Sequence, residues 1–313
     1  MKICHTISDL SREAQKPSVV TLGVFDGMHR GHQAVIQEAV AWSRTIEARS
    51  VVVTFATHPA TTLAGRHVPY LQTLSDRLDQ MQSMGIDMAL PLPFDRAMAS
   101  QPPESFVQSI LVERLGAQGI LLGHDTTFGK NGIGNLLLLK TLESTLGFEA
   151  RGTEPVLYQG TPISSTRIRE QVARGDLLAT EEMLGRPFTT RGEVVRGDQR
   201  GRTIGFPTAN IHPQGSALPP SGVYGGRVHI PEGTRYALIN IGFRPTFTPV
   251  TSDSHPTIEA HLLDWEGDLY DSIIEIEWLI HLRKEIQFET ETDLTNQILN
   301  DRSTFESFLH SSA

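Results

Sequence analysis

Two histidines three positions apart carry the clearest chemical signal in the sequence. His29 and His32 stand in the order His-Arg-Gly-His, where an apolar run at residues 19–24 gives way to a helical pattern. A strand that turns into a helix presents unpaired backbone N–H groups and the positive end of the helix dipole to a phosphate. Gly31 allows the backbone to approach that ligand closely. The turn is therefore predicted to handle the polyphosphate of a nucleotide.

Taken alone, this tetrapeptide also fits a pair of surface side chains or half of a metal site. A metal site is disfavoured because Cys4 is the one cysteine and no second cluster with ligand spacing occurs. A second phosphate signal supports the nucleotide interpretation, since three hydroxyls and two guanidiniums precede another helical pattern. They are Ser164, Ser165, Thr166, Arg167 and Arg169. Hydroxyls and arginine forks both suit phosphate oxygens, although serine and threonine also cap helices that bind nothing.

A third segment, residues 197–210, combines three glycines with two arginines and can fold closely over phosphates. Thr208 and Asn210 end this segment two positions apart, so on a strand both side chains face one side. Mg²⁺ prefers such hard oxygen ligands and keeps phosphate oxygens in its shell. The pair is therefore a predicted metal site, and a glycine-rich hairpin with a buried Asn210 is the alternative. The spacing of a P-loop does not occur here.

Glu259 is a charged residue inside a strand pattern, and it shares one side of that strand with His261 and Leu263. A hydroxyl that accepts a phosphoryl group must lose its proton. A glutamate is ionised at neutral pH and can take that proton, which typically contributes about 10²–10⁴ in rate. Positioning and charge neutralisation must supply the rest of the catalysis. The alternative is a solvent-facing strand residue.

Length, composition and charge limit the classes of protein to be considered. A chain of 313 residues exceeds what one core usually holds, so two domains are expected. No run of about twenty apolar residues and no secretory leader pattern occur, so we expect a cytoplasmic protein without a membrane partner. The single cysteine agrees with a reducing compartment. A net charge of −9 disfavours nucleic-acid binding, which requires a basic face.

The first part of the chain must position the histidine turn, and it alternates apolar runs with helical patterns. Strands are predicted at 19–24, 50–55, 88–92 and 119–122, with helices at 33–48, 75–84 and 104–115. This order predicts a parallel α/β sheet with helices on both faces. Ligands of such sheets bind beyond the carboxyl ends of the strands. The turns that carry His29, Pro59 and Asp125 should therefore open onto one rim.

After residue 186 the pattern becomes rich in β-strands. Strands are predicted at 194–195, 208–211, 223–230, 236–241, 258–263 and 273–282, followed by a helix at 292–309. Short strands broken by Gly and Pro are typical of a small β-barrel. A domain boundary near residue 186 separates a first domain, 1–186, from a second domain, 187–313.

Several segments occur in a specific order along almost the whole chain. They lie at residues 23–32, 163–169, 201–210, 222–224, 240–242 and 281–285. In these motifs the chain resembles the bacterial bifunctional riboflavin kinase/FAD synthetase family. The resemblance implies an N-terminal FMN adenylyltransferase domain of the Rossmann-like nucleotidyltransferase superfamily and a C-terminal riboflavin kinase barrel. ATP would phosphorylate riboflavin to FMN and then adenylylate FMN, giving FAD and pyrophosphate.

The resemblance also assigns residues to roles, position by position. Catalytic positions are His29, His32, Arg169 and Glu259. Nucleotide- and flavin-binding positions are Gly23, Phe25, Asp26, Gly31, Pro59, Asp125, Ser164, Ser165 and Thr166 in the first domain, and Gly197, Gly201, Arg202, Gly205 and Arg283 in the second. Thr208 and Asn210 would hold Mg²⁺ with ATP. The implied partners are small molecules, and the implied assembly is a monomer or a weak homo-oligomer.

Some positions depart from the family pattern, and two of the first-domain loops concerned are expected to line the flavin side of the adenylyltransferase. Val24 replaces an Asn, residues 56–59 read Ala-Thr-His-Pro instead of Glu-Pro-His-Pro, Thr126 replaces a Phe, and Phe243 replaces a Thr. A riboflavin kinase with a weakened or lost adenylyltransferase half is therefore the main alternative. A class I aminoacyl-tRNA synthetase shares the His-x-Gly-His turn, but the chain has no Lys-Met-Ser-Lys-Ser segment and is acidic.

Overall fold

The computed structural model describes residues 1–10, 16–65, 68–197, 201, 205–242 and 257–311. The chain divides into two compact units, Met1–Ser165 and Thr166–Ala313. Within the described ranges, no helix is both long and apolar enough to span a membrane.

The first unit contains the predicted parallel sheet. Its strands are β1 (Lys2–Ile3), β2 (Ser18–Leu22), β3 (Arg49–Phe55), β4 (Met88–Leu92), β5 (Ala117–Leu122) and β6 (Glu149–Gly152). Their order is β1-β4-β3-β2-β5-β6, and every pairing is parallel. The chain winds from β2 outward to β3 and β4, then crosses back to β5 on the other side of β2. The carboxyl end of β2 therefore lies at the switch point where such sheets bind ligands.

Helices cover both faces of this sheet, as predicted. They are α1 (Arg30–Thr45), α2 (Pro59–Ala64), α3 (Leu74–Ser83), α4 (Arg96–Ser100), α5 (Pro103–Phe106), which continues as a π-helical turn, and α6 (Leu136–Leu146). Trp42 of α1 and Met81 of α3 pack on one face, and Phe106 and Leu139 pack on the other. A short hairpin of β7 (Leu157–Tyr158) and β8 (Thr161–Pro162) precedes α7 (Ser165–Arg174).

The second unit contains a closed antiparallel barrel. After α8 (Leu177–Leu184), its strands are β9 (Phe188–Val195), β10 (Ala209–His212), β11 (Gly222–Ile230), β12 (Gly233–Gly242), β13 (Thr257–Leu262) and β14 (Ile273–Arg283). The order around the barrel is β10-β13-β12-β11-β14-β9. Along β13, Ile258, Ala260 and Leu262 are buried and alternate with the less buried Glu259 and His261. The strands thus present apolar residues to the core and polar residues to the outer face.

The last helix, α9 (Glu291–Ser311), lies against the outer face of the barrel. Phe305 of this helix is fully buried over Gly225, where an added Cβ would lie 2.3 Å from the phenyl ring. Arg283 on β14 donates through Nε and Nη2 to the buried carboxylate of Asp301, at 2.9–3.0 Å. Two features therefore hold α9 against the barrel. One is Gly225, whose missing side chain leaves space for the Phe305 ring, and the other is the enclosed ion pair of Arg283 with Asp301.

The structure refines several predicted bounds. The strand predicted at 208–211 begins at Ala209, so Thr208 precedes it, and the strand predicted at 194–195 begins at Phe188. The pattern did not predict β1 or β6, which are the edges of the sheet. Internal contacts group α7 after Ser165, together with α8, with the second unit, and α8 packs on β9 and β14. The boundary near residue 186 stays a prediction.

Substitution of Gly225 by Ala should destabilise the second unit, because the new methyl group overlaps the ring of Phe305. Overpacking of this kind typically costs about 1–3 kcal/mol of unfolding free energy. Urea unfolding of Gly225→Ala, Phe305→Leu and the double variant measures the effect. The smaller Leu should recover part of the loss, giving a favourable coupling energy in the double-mutant cycle. Strict additivity would contradict the proposed contact.

Candidate active sites

The turn after β2 has an unusual backbone. Phe25 and Met28 have positive φ angles of 55° and 43° although neither is glycine, and Gly27 between them has a φ of 80°. Left-handed residues that carry side chains are strained and persist only where the surroundings hold them. The turn places Phe25 and Met28 in the core and brings His29 to the start of α1. Its strain is therefore part of how the histidines are positioned.

His29 and His32 form a stacked pair at this helix start. His29 is the N-cap residue of α1, and its Nδ1 accepts a hydrogen bond from the backbone N–H of His32 at 3.3 Å. The two ring centroids lie 3.5 Å apart at an interplanar angle of 21°. A Cβ at Gly31 would lie 3.1 Å from the ring of His29, so this glycine makes room for the imidazole as well as for a ligand.

Both imidazoles are neutral near neutral pH. Burial, followed by the nearby charge of His124, lowers the pKa of His29 to about 4. Burial, followed by His29 and Arg77, lowers the pKa of His32 well below its usual value. Because Nδ1 of neutral His29 accepts a hydrogen bond, its proton lies on Nε2, which can donate to a phosphate oxygen. The pair therefore provides dipolar donors rather than a fixed double charge.

Residues 71 and 72, which precede α3, bind the histidine turn through hydrogen bonds to Asp26. The carboxylate of Asp26 is 1% exposed and accepts the backbone N–H groups of Leu71 and Gln72 at 3.1–3.2 Å. The Oγ of Ser165 donates to the carbonyl of Asp26 at 2.9 Å, which joins the second predicted phosphate segment to the first. Asp26 therefore supports the turn through its side chain and links it to Ser165 through its carbonyl.

The remaining predicted residues of the first domain lie in the turns after β2, β3 and β5, and in or just before α7. Pro59 begins α2 in the turn after β3, and Asp125 is exposed in the turn after β5. A Cβ at Gly23 would lie 3.3 Å from the ring of Phe25, which itself contacts the ring of His32 edge-on. Ser164 precedes α7, Thr166 and Arg169 lie within it, and the last two fall in the second unit. Their convergence on His29 stays a prediction.

In the barrel unit, one row of residues across neighbouring strands contains three of the predicted positions, which are Asn210, Glu259 and Arg283. Asn210 on β10 faces Glu259 on β13, and Glu259 faces Asn240 on β12. The row continues across β11 at Val223 to Arg283 on β14. Directly opposed residues of antiparallel strands lie on the same side of the sheet. Two amides, a carboxylate and a guanidinium are therefore aligned on the outer face of the barrel.

A cavity of about 460 Å³ lies between this outer face and α9. Thr208, Asn240, Glu259 and Arg283 line one part of it. The remainder is largely apolar and includes Val223, Leu238, Ile286, Phe288, Leu294 and Ile298. An apolar cleft with a few convergent polar groups is the usual form of a small-molecule site.

A second cavity of about 530 Å³ shares Thr208 with the first. Its lining includes Pro207, Trp265, Leu269 and Tyr270. The guanidinium of Arg196 lies 5.4 Å from the centre of the Tyr270 ring. Thr208 therefore stands where two ligand-sized spaces meet, one step along the chain from β10.

Glycines of the 197–205 segment leave space for neighbouring polar groups, and Gly201 lines the first cavity. A Cβ at Gly197 would lie 2.2 Å from the amide of Asn210, and one at Gly201 would lie 2.2 Å from the carbonyl of Phe206. Gly205 has a φ of 84°, which other residues rarely adopt. Arg202 lies outside the described residues. Among the described residues no cluster of three or more His, Cys, Asp or Glu forms a metal site.

Arg283 was predicted to bind a nucleotide or flavin, and in the structure its guanidinium contacts protein groups. Nε and Nη2 donate to Asp301, and Nη1 donates to the carbonyl of Lys284 at 3.0 Å. Arg283 and Asp301 both line the first cavity. Arg283 therefore joins β14 to α9 and shapes the wall of the cavity, and its contact with a ligand stays a prediction.

Comparison with known proteins agrees with this division into two sites. Residues 11–167 match the FAD synthetase family, and residues 184–309 match the riboflavin kinase family. A bifunctional riboflavin kinase/FMN adenylyltransferase of Bacillus subtilis is 35% identical over 94% of this chain and 93% of its own length. The chain belongs to the bifunctional riboflavin kinase/FMN adenylyltransferase family. An Escherichia coli member of the family is 34% identical over 98% of both chains.

The fold is also similar to that of a solved structure. The crystal structure of a macrolide-efflux protein from Streptococcus pneumoniae is 28% identical, with a TM-score of 0.85, and the match covers 97% of this chain and 98% of that one.

Arg77, Asn240 and Asp301 contribute to the sites but were not among the predicted residues. Arg77 could have been found, because it interrupts the apolar stripe of α3 formed by Leu78, Met81 and Leu74. A charge at a core position of a helix indicates a specific buried partner. Asp301 could have been found in the same way, because it lies in the apolar stripe of α9 with Ile298 and Phe305. Asn240 carried no such signal, since its importance comes from pairing with distant strands.

The lowered pKa of His29 predicts that the free energy of unfolding depends on pH. The folded protein keeps this imidazole neutral down to about pH 4, whereas the unfolded chain takes up a proton near pH 6.5. The unfolded state therefore binds more protons in this window, and stability falls as the pH falls. Between pH 7.5 and 5, the original chain should lose about 2 kcal/mol more than His29→Asn, which keeps a capping oxygen.

Hydrogen exchange of the amides of β2 and α1 measures that difference, and NMR titration of the imidazoles gives the cause directly. A His29 ring that titrates near pH 6.5, together with equal pH slopes for the two proteins, would contradict the assignment.

Proposed function

We propose that this chain makes FAD from riboflavin in two steps, each of which uses ATP. The barrel unit transfers the γ-phosphoryl group of ATP to riboflavin, giving FMN. The first unit then transfers the adenylyl group of a second ATP to FMN and releases pyrophosphate. The observation that carries the proposal is the row of Asn210, Glu259 and Asn240 beside two cavities that meet at Thr208.

Riboflavin suits the cavity beneath α9. Its isoalloxazine ring is a large apolar surface, and the cavity offers Leu238, Phe288 and Ile298 together with a few polar groups. ATP suits the neighbouring cavity, where Trp265 and Tyr270 can contact the base. Gly201 of the glycine loop lines the first cavity together with the shared Thr208. The two substrates then approach each other at Thr208, with Glu259 beside them.

Glu259 can act as the general base of the phosphoryl transfer. The ribityl hydroxyl loses its proton to this carboxylate as its oxygen bonds to the γ-phosphorus, and the bond from phosphorus to the bridging oxygen of ADP breaks. Ile258 and Ala260 anchor the neighbouring positions of β13 in the barrel core, so the carboxylate is held on the outer face. Asn240 faces Glu259 across the strand pair and adds a polar neighbour.

Thr208 and Asn210 are suited to hold Mg²⁺ together with the phosphates of ATP. Their hydroxyl and amide oxygens are the hard ligands that this ion prefers. The absent side chain at Gly197 leaves the space that the amide of Asn210 fills. When bound, the ion would neutralise negative charge on the phosphates.

In the first unit, catalysis of adenylyl transfer needs donors rather than a protein nucleophile. An oxygen of the FMN phosphate attacks the α-phosphorus of ATP, and the bond to the bridging oxygen of pyrophosphate breaks. Nε2–H of His29 and the start of α1 would donate to the oxygens that gain charge. Ser164, Ser165, Thr166 and Arg169 would hold the departing pyrophosphate.

Incubation of the pure protein with riboflavin, ATP and Mg²⁺, followed by chromatographic separation of the flavins, tests the proposal. We expect FMN first and then FAD, and both should disappear when EDTA removes the divalent ion. FMN without FAD would support the alternative of a kinase with an inactive adenylyltransferase half. The absence of both products would contradict the proposal.

Paired variants test the two sites separately. Glu259→Gln keeps the shape of the side chain but loses the base, so riboflavin phosphorylation should fall by about 10²–10⁴-fold. FAD formation from supplied FMN should stay unchanged. His32→Ala should have the reverse effect, abolishing FAD formation while sparing the kinase. Equal loss of both activities in either variant would contradict two independent sites.

A further inference from the structure

Arg77 is a charged residue in the interior of the first unit. It lies on the apolar side of α3 and is 1% exposed, so a substrate on the rim cannot contact it directly. Burial lowers its pKa from the ordinary arginine value, yet guanidinium groups stay protonated in proteins. A buried cation is costly unless protein groups bond it on several sides. Its contacts therefore indicate what it is for.

The guanidinium joins two turns that leave the sheet side by side. Nη1 donates to the carbonyl of Val24, in the turn that leads to His29. Nη2 donates at 3.3 Å to the carbonyl of Phe55, the last residue of β3 before the turn that leads to Pro59. Thr54 strengthens the connection, because its Oγ1 donates to the Val24 carbonyl at 3.1 Å and lies 3.3 Å from Nη1.

These bonds begin where the pairing of β2 with β3 ends. The last paired residues of β2 and β3 are Leu22 and Val53, and the N–H of Gly23 donates to the Val53 carbonyl at 3.1 Å. Beyond that point, Arg77 supplies a bridge between Val24 and Phe55 that the strand pairing no longer supplies. The planar fork of an arginine can hold two carbonyls at a fixed spacing, whereas a lysine offers one compact charge.

We propose that Arg77 is a positioning residue for FMN adenylylation, which sets the spacing between the turn of His29 and the turn of Pro59. The inference rests on the proposed function, in which the first turn binds ATP and the second lies on the flavin side. Adenylyl transfer requires the FMN phosphate to reach the α-phosphorus of ATP in line. A displacement of about 1 Å at such a centre can cost about 10²-fold in rate.

A second segment supports the same connection. The hydroxyl of Tyr70 accepts the backbone N–H of His58 at 3.3 Å, and the next two residues, Leu71 and Gln72, donate to Asp26. Residues 70–77 therefore contact both turns at two levels. One level consists of the Tyr70 hydroxyl and the backbone N–H groups of residues 71 and 72, and the other is the guanidinium of Arg77. This duplication keeps the fold when one level is weakened, which makes the role of Arg77 testable.

The test compares Arg77→Lys, Thr54→Val and a matched control, Arg49→Lys, in the full chain. Arg49 lies on β3, as Thr54 does, but at the amino end of the strand. There its Nη2 donates to the carbonyl of Leu115 at 3.1 Å. Steady-state kinetics with FMN and ATP measure adenylylation, and riboflavin phosphorylation by the same protein serves as an internal standard. Hydrogen exchange of β2 and β3 reports whether the first unit is folded.

Arg77→Lys should lower kcat for FAD formation by about 10- to 100-fold with KM values for ATP and FMN within about threefold. Thr54→Val, which removes one bond and keeps the shape, should lower kcat by about three- to tenfold. Arg49→Lys should leave kcat within about twofold, and all three variants should keep the kinase rate.

Unchanged kcat in Arg77→Lys and Thr54→Val would overturn the inference. So would a loss of FAD formation that is proportional to the unfolded fraction, since that indicates a purely structural role. If the unmodified chain forms no FAD, the proposed function itself fails, and the inference fails with it.

Discussion

The enclosed charges of Arg77 and Asp26 are the constraint on which the first unit depends. Neither group can reach water, so each must find partners among the backbone groups around it. Those partners lie in the turn after β2, at the carboxyl end of β3 and in residues 71 and 72, where β2 no longer pairs with β3. The strained backbone at Phe25 and Met28 persists because these bonds hold it on both sides. The imidazole pair of His29 and His32 lies next to this buried polar network, at the start of α1.

The barrel reaches a similar result with different means. Its candidate site residues lie on strands, and the closed hydrogen-bond ladder sets their spacing. Asn210, Glu259 and Asn240 are neighbours because three strands pair in one register, and the alternation of inward and outward residues keeps them out of the core. The enclosed ion pair of Arg283 with Asp301 attaches α9, which forms the opposite wall of the cavity. The first unit therefore positions its chemistry through turns, and the second positions it through register.

Much of this arrangement could be predicted from the sequence, for reasons that differ from residue to residue. Periodicity predicted β2 to β5, most of the barrel strands and α9, because long apolar patterns have one efficient way of being buried. His29 and His32 could be identified because their spacing places both at a helix start. Gly31 and Arg283 were predicted to bind ligands, but in the structure each also has a packing role, Gly31 beside the His29 ring and Arg283 against Asp301. The sequence alone cannot show whether ligand binding or packing fixes these residues. Short edge strands such as β1 lack enough residues for a pattern. Asn240 matters through partners far away in the chain, which no local pattern encodes.

The alignment of Asn210, Glu259 and Asn240 has a consequence for how such a protein can change over evolutionary time. A point substitution on the outer face alters a ligand contact and leaves the interior intact. Gain or loss of one codon inside β13 would instead exchange Glu259 with Ile258 or Ala260, bringing a hydrocarbon to the reaction centre and a carboxylate to the interior. We therefore expect lineages to vary in length between these strands and to keep the number of residues within them.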